Sequence, residues 1–424
     1  MPDYTKVNAV AAADIVKING VAVADVVKCN GIDAPSTSTS ATRWVIATQD
    51  GYIAHAANSD RTSWTSYDGY AESGSQTAGD SESIAFGRNA SGAGIYVASR
   101  ATASSGSQTI ELTISGTDVT SSGTWTNIDV DNDSGHKQAI MDVVWGAATD
   151  SATAGTWVAV GKQATKDIFR STNGAAAWSA VALDSLSGHV GGSASSEYIN
   201  GIASDGSGKW MFAQTSRIYY STDNAASWAV STPFSSDTPG RAQNLVFAKG
   251  VGGAVDSWVL AYSRQSKINF RSCAASDITD WGTENRANNM AQTTTNGRNV
   301  KMAVAGGRVA AFTESHTKLY RFDVDGKTIS NLTEVTLPET ARDIACDGNT
   351  WLIACNDGHI LESTDNAETW SKIVDGYQAD GSSALDLEAI TCDVVLPLCP
   401  TICQWCCRWS VIAVTVCSRR ENTT

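Results

Sequence analysis

The chain has 424 residues, enough for two or three ordinary domains or for one large repeat fold. Only 17% of its residues are charged, and its formal net charge at pH 7 is -14. Acidic residues are spread along the chain, so a phosphate-rich partner would meet a repulsive field. The charge therefore argues against nucleic acids and anionic membranes as partners.

The apolar pattern disfavours two further classes of protein. The first residues, "MPDYTKVNAV", lack the basic start and long apolar core of a secretory signal. No stretch of the sequence approaches the roughly 18 to 20 apolar residues of a membrane-spanning helix. We therefore expect a protein that is made in a cytosol and is not inserted into a membrane.

Three copies of one short pattern open the sequence: "DYTKVNAV", "DIVKINGV" and "DVVKCNGI". A unit this small cannot bury a core alone and must stack on its neighbours or on another chain. We interpret residues 1–34 as an attachment module, with a simple amino-terminal arm as the alternative. The residues that recur every 11 positions, with the glycines that favour tight turns, are Asp3, Lys6, Asn8, Asp14, Lys17, Asn19, Gly20, Asp25, Lys28, Asn30 and Gly31.

Residues 35–42 form a linker rich in Ser and Thr, and a different pattern begins at Arg43. Strand-like runs that contain tryptophan are each followed by a second strand and by a polar turn that ends in tryptophan. These features mark seven units of about 50 residues, each with room for four short antiparallel strands. We predict an all-β fold in which residues 43–396 form a seven-bladed β-propeller. The first unit lacks an inner strand, so we expect a strand within 385–398 to close the ring.

Three of the polar turns, "STNGAAAW", "STDNAASW" and "STDNAETW", resemble the Asp-box, or BNR repeat, whose pattern is Ser-x-Asp-x-Gly-x-Thr-Trp. In that family the turn joins the two outer strands of a blade, so the resemblance implies a structural role. Ala175, Ala225 and Ala367 stand where the family usually has glycine. The positions that carry the resemblance are Ser171, Asn173, Trp178, Ser221, Asp223, Trp228, Ser363, Asp365 and Trp370.

Asp-box propellers include sialidases, but this sequence gives little support for that activity. No arginine is followed by Ile-Pro, as in the early motif of sialidases, and Arg170 and Arg271 lie beside the repeated turns. Glycoside hydrolysis also needs paired carboxylates or a nucleophile in a geometry that no motif signals. We therefore predict no catalytic residues.

One acidic segment resembles a calcium-binding loop because Asp129, Asp131 and Asp133 alternate as oxygen ligands do. The match is incomplete, since Gly135 comes one place late and Ile140 stands where a bidentate glutamate belongs. We favour a solvated acidic loop and keep calcium as the alternative. The histidines show no metal-ligand spacing, so we expect no other cofactor.

The carboxyl-terminal tail, residues 397–424, differs in composition from the rest of the chain. Its segment "CPTICQWCCRWSVIAVTVC" contains five cysteines and two tryptophans but no glycine. A packed apolar plug or a contact with a partner is the favoured interpretation. A zinc site and an altered reading frame remain as alternatives.

The short tandem repeats, the Ser/Thr linker and the β domain rich in small residues resemble virion proteins of tailed bacteriophages, especially fibres and appendages. The resemblance implies a non-enzymatic structural virion protein, assembled in the host cytoplasm within an oligomeric assembly. Residues 1–34 would dock on other virion proteins, and the propeller would bind a neighbouring protein or a host-surface glycan or receptor.

Two alternative functions stay open at this point. One is a carbohydrate-binding or sialidase-like glycoside hydrolase propeller. The other is an assembly factor similar to the propellers that help to build photosynthetic complexes. The second alternative requires a targeting segment that the sequence does not show.

Overall fold

The computed structural model contains two compact units, one formed by Met1–Thr39 with Pro397–Thr424 and the other by Ser40–Leu396. The structure describes residues 6–7, 10–11, 17–18, 21–22, 28–29, 32–33, 43–48, 51–68, 82–100, 111–115, 119–120, 125–130, 140–147, 155–161, 168–181, 199–214, 217–231, 241–291, 300–379, 381 and 384–393.

In the first unit, each 11-residue repeat forms one two-stranded antiparallel hairpin. The three hairpins have equivalent registers, in which Lys6 pairs with Ala11, Lys17 with Ala22 and Lys28 with Asp33. Two residues join the strands of each pair, the loop length of the tightest hairpins. The strands are β1 (Lys6–Val7), β2 (Val10–Ala11), β3 (Lys17–Ile18), β4 (Val21–Ala22), β5 (Lys28–Cys29) and β6 (Ile32–Asp33).

Part of the predicted attachment motif lies outside the described residues. This is the case for Asp3, Asn8, Asp14, Asn19, Gly20, Asp25, Asn30 and Gly31. Lys6, Lys17 and Lys28 belong to described strands, and only their backbones are described. The 11-residue period of the sequence nevertheless coincides with the period of the hairpins.

The second unit consists of short strands, with a single 3-10 turn at Asn356–Gly358 among the residues that the structure describes. Its strands are β7 (Arg43–Thr48), β8 (Tyr52–Ala57), β9 (Asp60–Asp68), β10 (Ile84–Arg88), β11 (Gly94–Arg100), β12 (Glu111–Ser115), β13 (Trp125–Asp129), β14 (Ile140–Gly146), β15 (Thr156–Gly161), β16 (Ile168–Ser171), β17 (Ser179–Val181), β18 (Ile199–Ser204), β19 (Trp210–Gln214), β20 (Arg217–Ser221), β21 (Ala229–Ser231), β22 (Arg241–Ala248), β23 (Ser257–Arg264), β24 (Lys267–Ala274), β25 (Asn285–Ala291), β26 (Val300–Ala305), β27 (Arg308–Thr313), β28 (His316–Asp325), β29 (Thr328–Cys346), β30 (Trp351–Cys355), β31 (Ile360–Ser363), β32 (Ser371–Val374) and β33 (Leu387–Cys392).

These strands form five four-stranded antiparallel sheets and one seven-stranded sheet. In the seven-stranded sheet, the first part of β29 is the outer strand of one blade and its last part is the inner strand of the next. Counted in this way, the described strands make seven four-stranded units, which we call blades 1 to 7. In chain order they are β33-β7-β8-β9, β10–β13, β14–β17, β18–β21, β22–β25, β26–β29 and β29–β32.

The inner strands of the blades contact one another in a closed circle, from β33 through β10, β14, β18, β22, β26 and β29 back to β33. The circle closes in blade 1, where β33 pairs antiparallel with β7, so that Leu387 lies opposite Thr48 and Cys392 opposite Trp44. The Arg43 backbone N–H also donates to Asp393 Oδ1 at 3.0 Å. The predicted all-β propeller, closed by a carboxyl-terminal strand, is therefore confirmed.

The cores lie between neighbouring blades, so the second strand of a blade is covered on both faces. This explains why runs such as "WVIAT" and "WMFAQ" are apolar at nearly every position instead of alternating. The tryptophans of these strands are fully buried, namely Trp44, Trp157, Trp210, Trp258 and Trp351. Their indole rings fix the spacing between adjacent sheets.

Candidate functional site

The antiparallel blades place two kinds of connection at two ends of the propeller. Turns between the first and second strands, and between the third and fourth, lie at one end, which we call the turn face. The starts of the inner strands and the turns between the second and third strands lie at the other end. The polar residues at this second end, around the centre of the ring, form what we call the channel mouth.

The three octet turns, residues 171–178, 221–228 and 363–370, connect the third and fourth strands of blades 3, 4 and 7. In each turn the opening serine hydroxyl donates to the third residue at 2.8 Å, as Ser221 Oγ does to Asp223 Oδ1. The same hydroxyl accepts the backbone N–H of the fifth residue, and the third residue accepts the N–H of the seventh. The bonds satisfy the polar groups of the turn locally.

The fifth residue of each octet is an alanine in the left-handed region, with φ of 69° at Ala175, 62° at Ala225 and 62° at Ala367. Glycine adopts this conformation without the steric cost that a Cβ brings. All three alanines are fully buried, so their methyl groups pack in the cores between blades. This packing offsets part of the backbone cost and accounts for alanine at a position that favours glycine.

Blades 1 and 5 contain a second type of turn, which also ends in tryptophan but has a different sequence pattern from the octet. We call these the nonet turns, residues 56–64 and 273–281; both follow the pattern Ser-Asp-x-Thr-x-Trp after three residues. Asp60 accepts the Thr62 N–H at 3.1 Å, and Asp277 accepts the Thr279 N–H at 3.0 Å. The aspartate of a nonet stands four residues before the closing tryptophan, whereas the acid of an octet stands five residues before it, so the two patterns do not align.

The turns also tie each blade to its neighbour. Arg170 of blade 3 donates through Nε to the Asn224 carbonyl at 2.9 Å, and Lys209 of blade 4 donates through Nζ to the Ala275 carbonyl at 3.1 Å. The closing tryptophans pack on the cores between blades. The rings of Trp228 and Phe212 pack edge-on, with their centroids 4.8 Å apart. These contacts give the turn face a structural role.

The channel mouth comprises Glu82, Lys301, Glu314, Arg342, Asp386 and Glu388. Arg342 links three of its carboxylates: Nη1 lies 3.3 Å from Glu314 Oε1, and Nη2 contacts Asp386 and lies 3.5 Å from Glu388 Oε1. Its Nε also donates to Asn356 Oδ1 at 2.7 Å. A guanidinium group held on several sides in this way is a fixed positive charge among carboxylates.

Lys301 crosses the centre of the ring. It begins in blade 6, where its side chain is only 2% exposed, and its Nζ lies 3.5 Å from the Glu82 carbonyl of blade 2. The same Nζ lies 3.9 Å from Asp343 Oδ1 of blade 7. Because blades 7 and 1 separate blade 6 from blade 2, this contact spans the channel and joins non-neighbouring blades.

Among the residues of the channel mouth, Glu388 has the carboxyl pKa that departs furthest from its usual value. Burial raises the pKa of its carboxyl from 4.5 to about 7; Glu314 and Glu82 add to the increase, while Arg342 and Lys301 oppose it. A carboxyl group with this pKa is about half protonated at neutral pH. The channel mouth can therefore hold or release a proton at Glu388 in the physiological range.

Polar side chains at bulges of the inner strands connect successive blades around the channel. Asp142 Oδ2 accepts the Ile202 N–H at 3.2 Å, and Asp343 Oδ2 accepts the Ile390 N–H at 2.9 Å. Asn244 Nδ2 donates to the Val300 carbonyl at 2.8 Å. These residues were not predicted from the sequence, because each bond forms only where two inner strands become neighbours in the closed ring.

The acidic segment that the sequence offers as a calcium site lies mostly outside the described residues. Asp131 and Asp133 lie outside the described residues, and of Asp129 only the backbone, at the end of β13, is described. Among the residues that the structure describes, no group of three or more His, Cys, Asp or Glu side chains is arranged to hold a metal ion. Within the same residues, no helix is long and apolar enough to cross a membrane.

No protein-family model matches the chain, and no curated protein matches it. Among solved structures, it is similar to YCF48 from Cyanidioschyzon merolae, with a TM-score of 0.43 and 14% identity over 70% of this chain and 85% of that one. A structure of YCF48 bound to D1 peptide gives 0.42 and 16%, covering 78% and 86%. BamB from Moraxella catarrhalis gives 0.42 and 10%, covering 77% and 81%.

Proposed function

We propose that this chain is a non-enzymatic structural virion protein of a tailed bacteriophage, a fibre or other surface appendage assembled in the host cytoplasm. Residues 1–34 dock on other virion proteins, and the propeller binds a neighbouring protein or a host-surface glycan. The observation that carries the proposal is the coincidence of three equal sequence repeats with three equivalent hairpins, in a unit separate from the propeller.

The three hairpins support docking because they offer the same short motif three times. Repeated weak contacts to a repetitive partner, such as an oligomeric particle protein, add up to strong attachment when geometry allows them to act together. The propeller supports the binding role because its ring is closed, which leaves recognition to exposed loops on a rigid frame. Within this proposal the octet turns are diverged Asp-boxes.

The test is incorporation into particles. Deletion of residues 1–34 is expected to abolish recovery of the chain with purified virions, measured by quantitative mass spectrometry against the major virion proteins. The matched control is Val251→Ser, which changes an exposed propeller residue and should leave incorporation unchanged. Thermal melting should show that the truncated propeller remains folded. Recovery of the truncated chain at the wild-type ratio would contradict the proposal.

A further inference from the structure

The octet turn of blade 3 contains the dipeptide Asn173–Gly174, whereas the octets of blades 4 and 7 have aspartate and asparagine at the same two positions. Packing fixes the glycine, because its φ is 72° and a Cβ there would lie 2.1 Å from the Ala90 backbone nitrogen of blade 2. Asparagine followed by glycine is chemically reactive, since glycine has no Cβ to hinder approach of its backbone nitrogen to the preceding side chain. The fold therefore keeps a reactive sequence in this turn.

Two donors point at the side-chain carbonyl of Asn173. The Ser171 hydroxyl donates to Oδ1 at 2.8 Å, and the Ala177 N–H donates to the same atom at 2.9 Å. A backbone N–H can only donate, so the atom that faces it is the amide oxygen. Donors in this arrangement stabilise negative charge on that oxygen, as in the oxyanion hole of an acyl-transfer enzyme. They therefore make Cγ of Asn173 a better target for a nucleophile.

The other half of the carboxamide makes no contact that its loss would break. Nδ2 of Asn173 has no hydrogen-bond partner among the residues that the structure describes, and the residue is exposed, so water can reach it. In blades 4 and 7 the same turn is built with a carboxylate, since Asp223 and Asp365 accept the equivalent bonds. Replacement of the amide nitrogen by oxygen is therefore compatible with the octet.

We propose that Asn173 is a site of spontaneous deamidation, which converts the octet of blade 3 from the amide to the acid form. The Gly174 backbone nitrogen loses its proton and bonds to Asn173 Cγ, while the C=O electron pair moves to Oδ1. The pair returns as the Cγ–Nδ2 bond breaks, and the nitrogen takes up a proton and leaves as ammonia. The chain then contains a five-membered succinimide ring, and water is the only co-reactant that the next step requires.

Hydrolysis of the ring decides which product forms. Addition of water at Cγ breaks the new bond to Gly174 and leaves a normal aspartate, whereas addition at the backbone carbonyl leaves an isoaspartate with a longer backbone. The Ser171 and Ala177 donors polarise Cγ in both steps, so they favour normal aspartate. The sum is one amide and one water converted to one carboxylic acid and one ammonia, which adds a negative charge to the turn face.

A second Asn-Gly dipeptide, Asn200–Gly201, serves as an internal comparison. It lies in β18, where Gly201 pairs with Ala213 of the neighbouring strand. Paired strands open less often than exposed turns, so we expect conversion at Asn200 to be about tenfold slower than at Asn173.

The experiment stores the purified full-length chain at pH 6 and pH 8 and follows residues 171–178 by peptide mass spectrometry. The peptide should gain the mass of an amide-to-acid conversion, and faster at pH 8, because the attacking nitrogen must lose a proton. Aged protein should co-elute with Asn173→Asp on ion exchange. The share of isoaspartate should be lower than in the same chain denatured in urea, where the contacts of the two donors are lost.

Three variants separate activation of the amide from loosening of the turn. Ser171→Ala removes one donor and should slow conversion about tenfold. Ser221→Ala removes the equivalent hydroxyl of the blade 4 octet, which bonds to Asp223 and Ala225, and should leave the rate unchanged. Asn173→Gln keeps an amide oxygen but needs a six-membered ring, so it should show no conversion. Melting curves show whether each variant is folded.

Three results would overturn the proposal: an unchanged mass of the native peptide while the denatured chain converts, equal shares of isoaspartate in the two states, or faster conversion in Ser171→Ala. The last result would mean that the turn restrains the reaction instead of promoting it. The modification is independent of docking by residues 1–34, so its failure leaves the proposed function untouched.

Discussion

The turn face and the channel mouth use polar side chains in different ways. At the turn face, each aspartate or asparagine is satisfied by a serine, threonine or backbone N–H a few residues away, and the same arrangement recurs in several blades. At the channel mouth, Arg342 and Lys301 contact residues from different blades, and neither set of contacts recurs in another blade among the described residues. The repeated contacts therefore stabilise single turns, whereas the contacts of the channel mouth form only when the whole ring is closed.

The largest effect expected at the turn face comes from removal of a closing tryptophan. Trp228→Ala deletes a ring that is 8% exposed and packs edge-on against Phe212, so we expect the free energy of unfolding to fall by about 3 to 5 kcal/mol. Chemical denaturation measures the change. Val251→Ala, at an exposed residue of the same face, serves as the control and should change stability by less than about 0.5 kcal/mol. Equal losses in the two variants would contradict the role of the turn.

At the channel mouth, a change of pH should distinguish the buried carboxyl group from the solvated ones. Glu388 holds its proton more tightly in the folded chain than in the unfolded chain, because its pKa rises from 4.5 to about 7. Its favourable contribution to the free energy of unfolding is complete below about pH 4.5. This contribution is lost as the pH rises to about 7, a change of roughly 3 kcal/mol. Glu388→Gln removes this dependence on pH. The stability of the variant relative to wild type should therefore increase between about pH 4.5 and pH 7.

Denaturation curves at a series of pH values measure this difference. Glu368→Gln is the control, since Glu368 is exposed and pairs with Arg321 at the turn face, where a surface ion pair contributes little. If the stabilities of wild type and Glu388→Gln change in parallel with pH, folding does not raise the pKa of Glu388, and the prediction is wrong. A loss of stability that is constant with pH would indicate only a packing defect.

The two regions also differ in how far the sequence predicts them. The octets were predicted because Ser, Asp and Trp recur at fixed spacing, and the closing strand β33 because the first unit lacks an inner strand. The nonets were counted as turns that end in tryptophan, but their own pattern was not recognised, because Asp60 and Asp277 stand four residues before the tryptophan instead of five. Glu82, Lys301 and Glu388 are far apart in the sequence, and only the closed circle of inner strands brings them together.

The smallest effect concerns the acid at the third position of an octet. Burial raises the pKa of Asp365, but hydrogen bonds from Thr369 and Ser363 outweigh it and lower the pKa from 3.8 to about 2. The stabilising contribution of this carboxylate is therefore present above about pH 3.8 and is lost as the pH falls through about 2. Asp365→Asn should cost less than about 1 kcal/mol at pH 7, because an amide oxygen still accepts the turn N–H groups.

Blade 3 supplies the matched reverse substitution. Asn173 already accepts the Ser171 hydroxyl at 2.8 Å and the Ala177 N–H at 2.9 Å, so an amide oxygen is sufficient for the turn geometry. Asn173→Asp should add the acid-sensitive contribution that Asp365→Asn removes, and thermal melting between pH 2 and pH 7 compares the two. If Asp365→Asn and wild type lose stability in parallel on acidification, the carboxylate has no special role. The octet would then depend on acceptor geometry and aromatic packing alone.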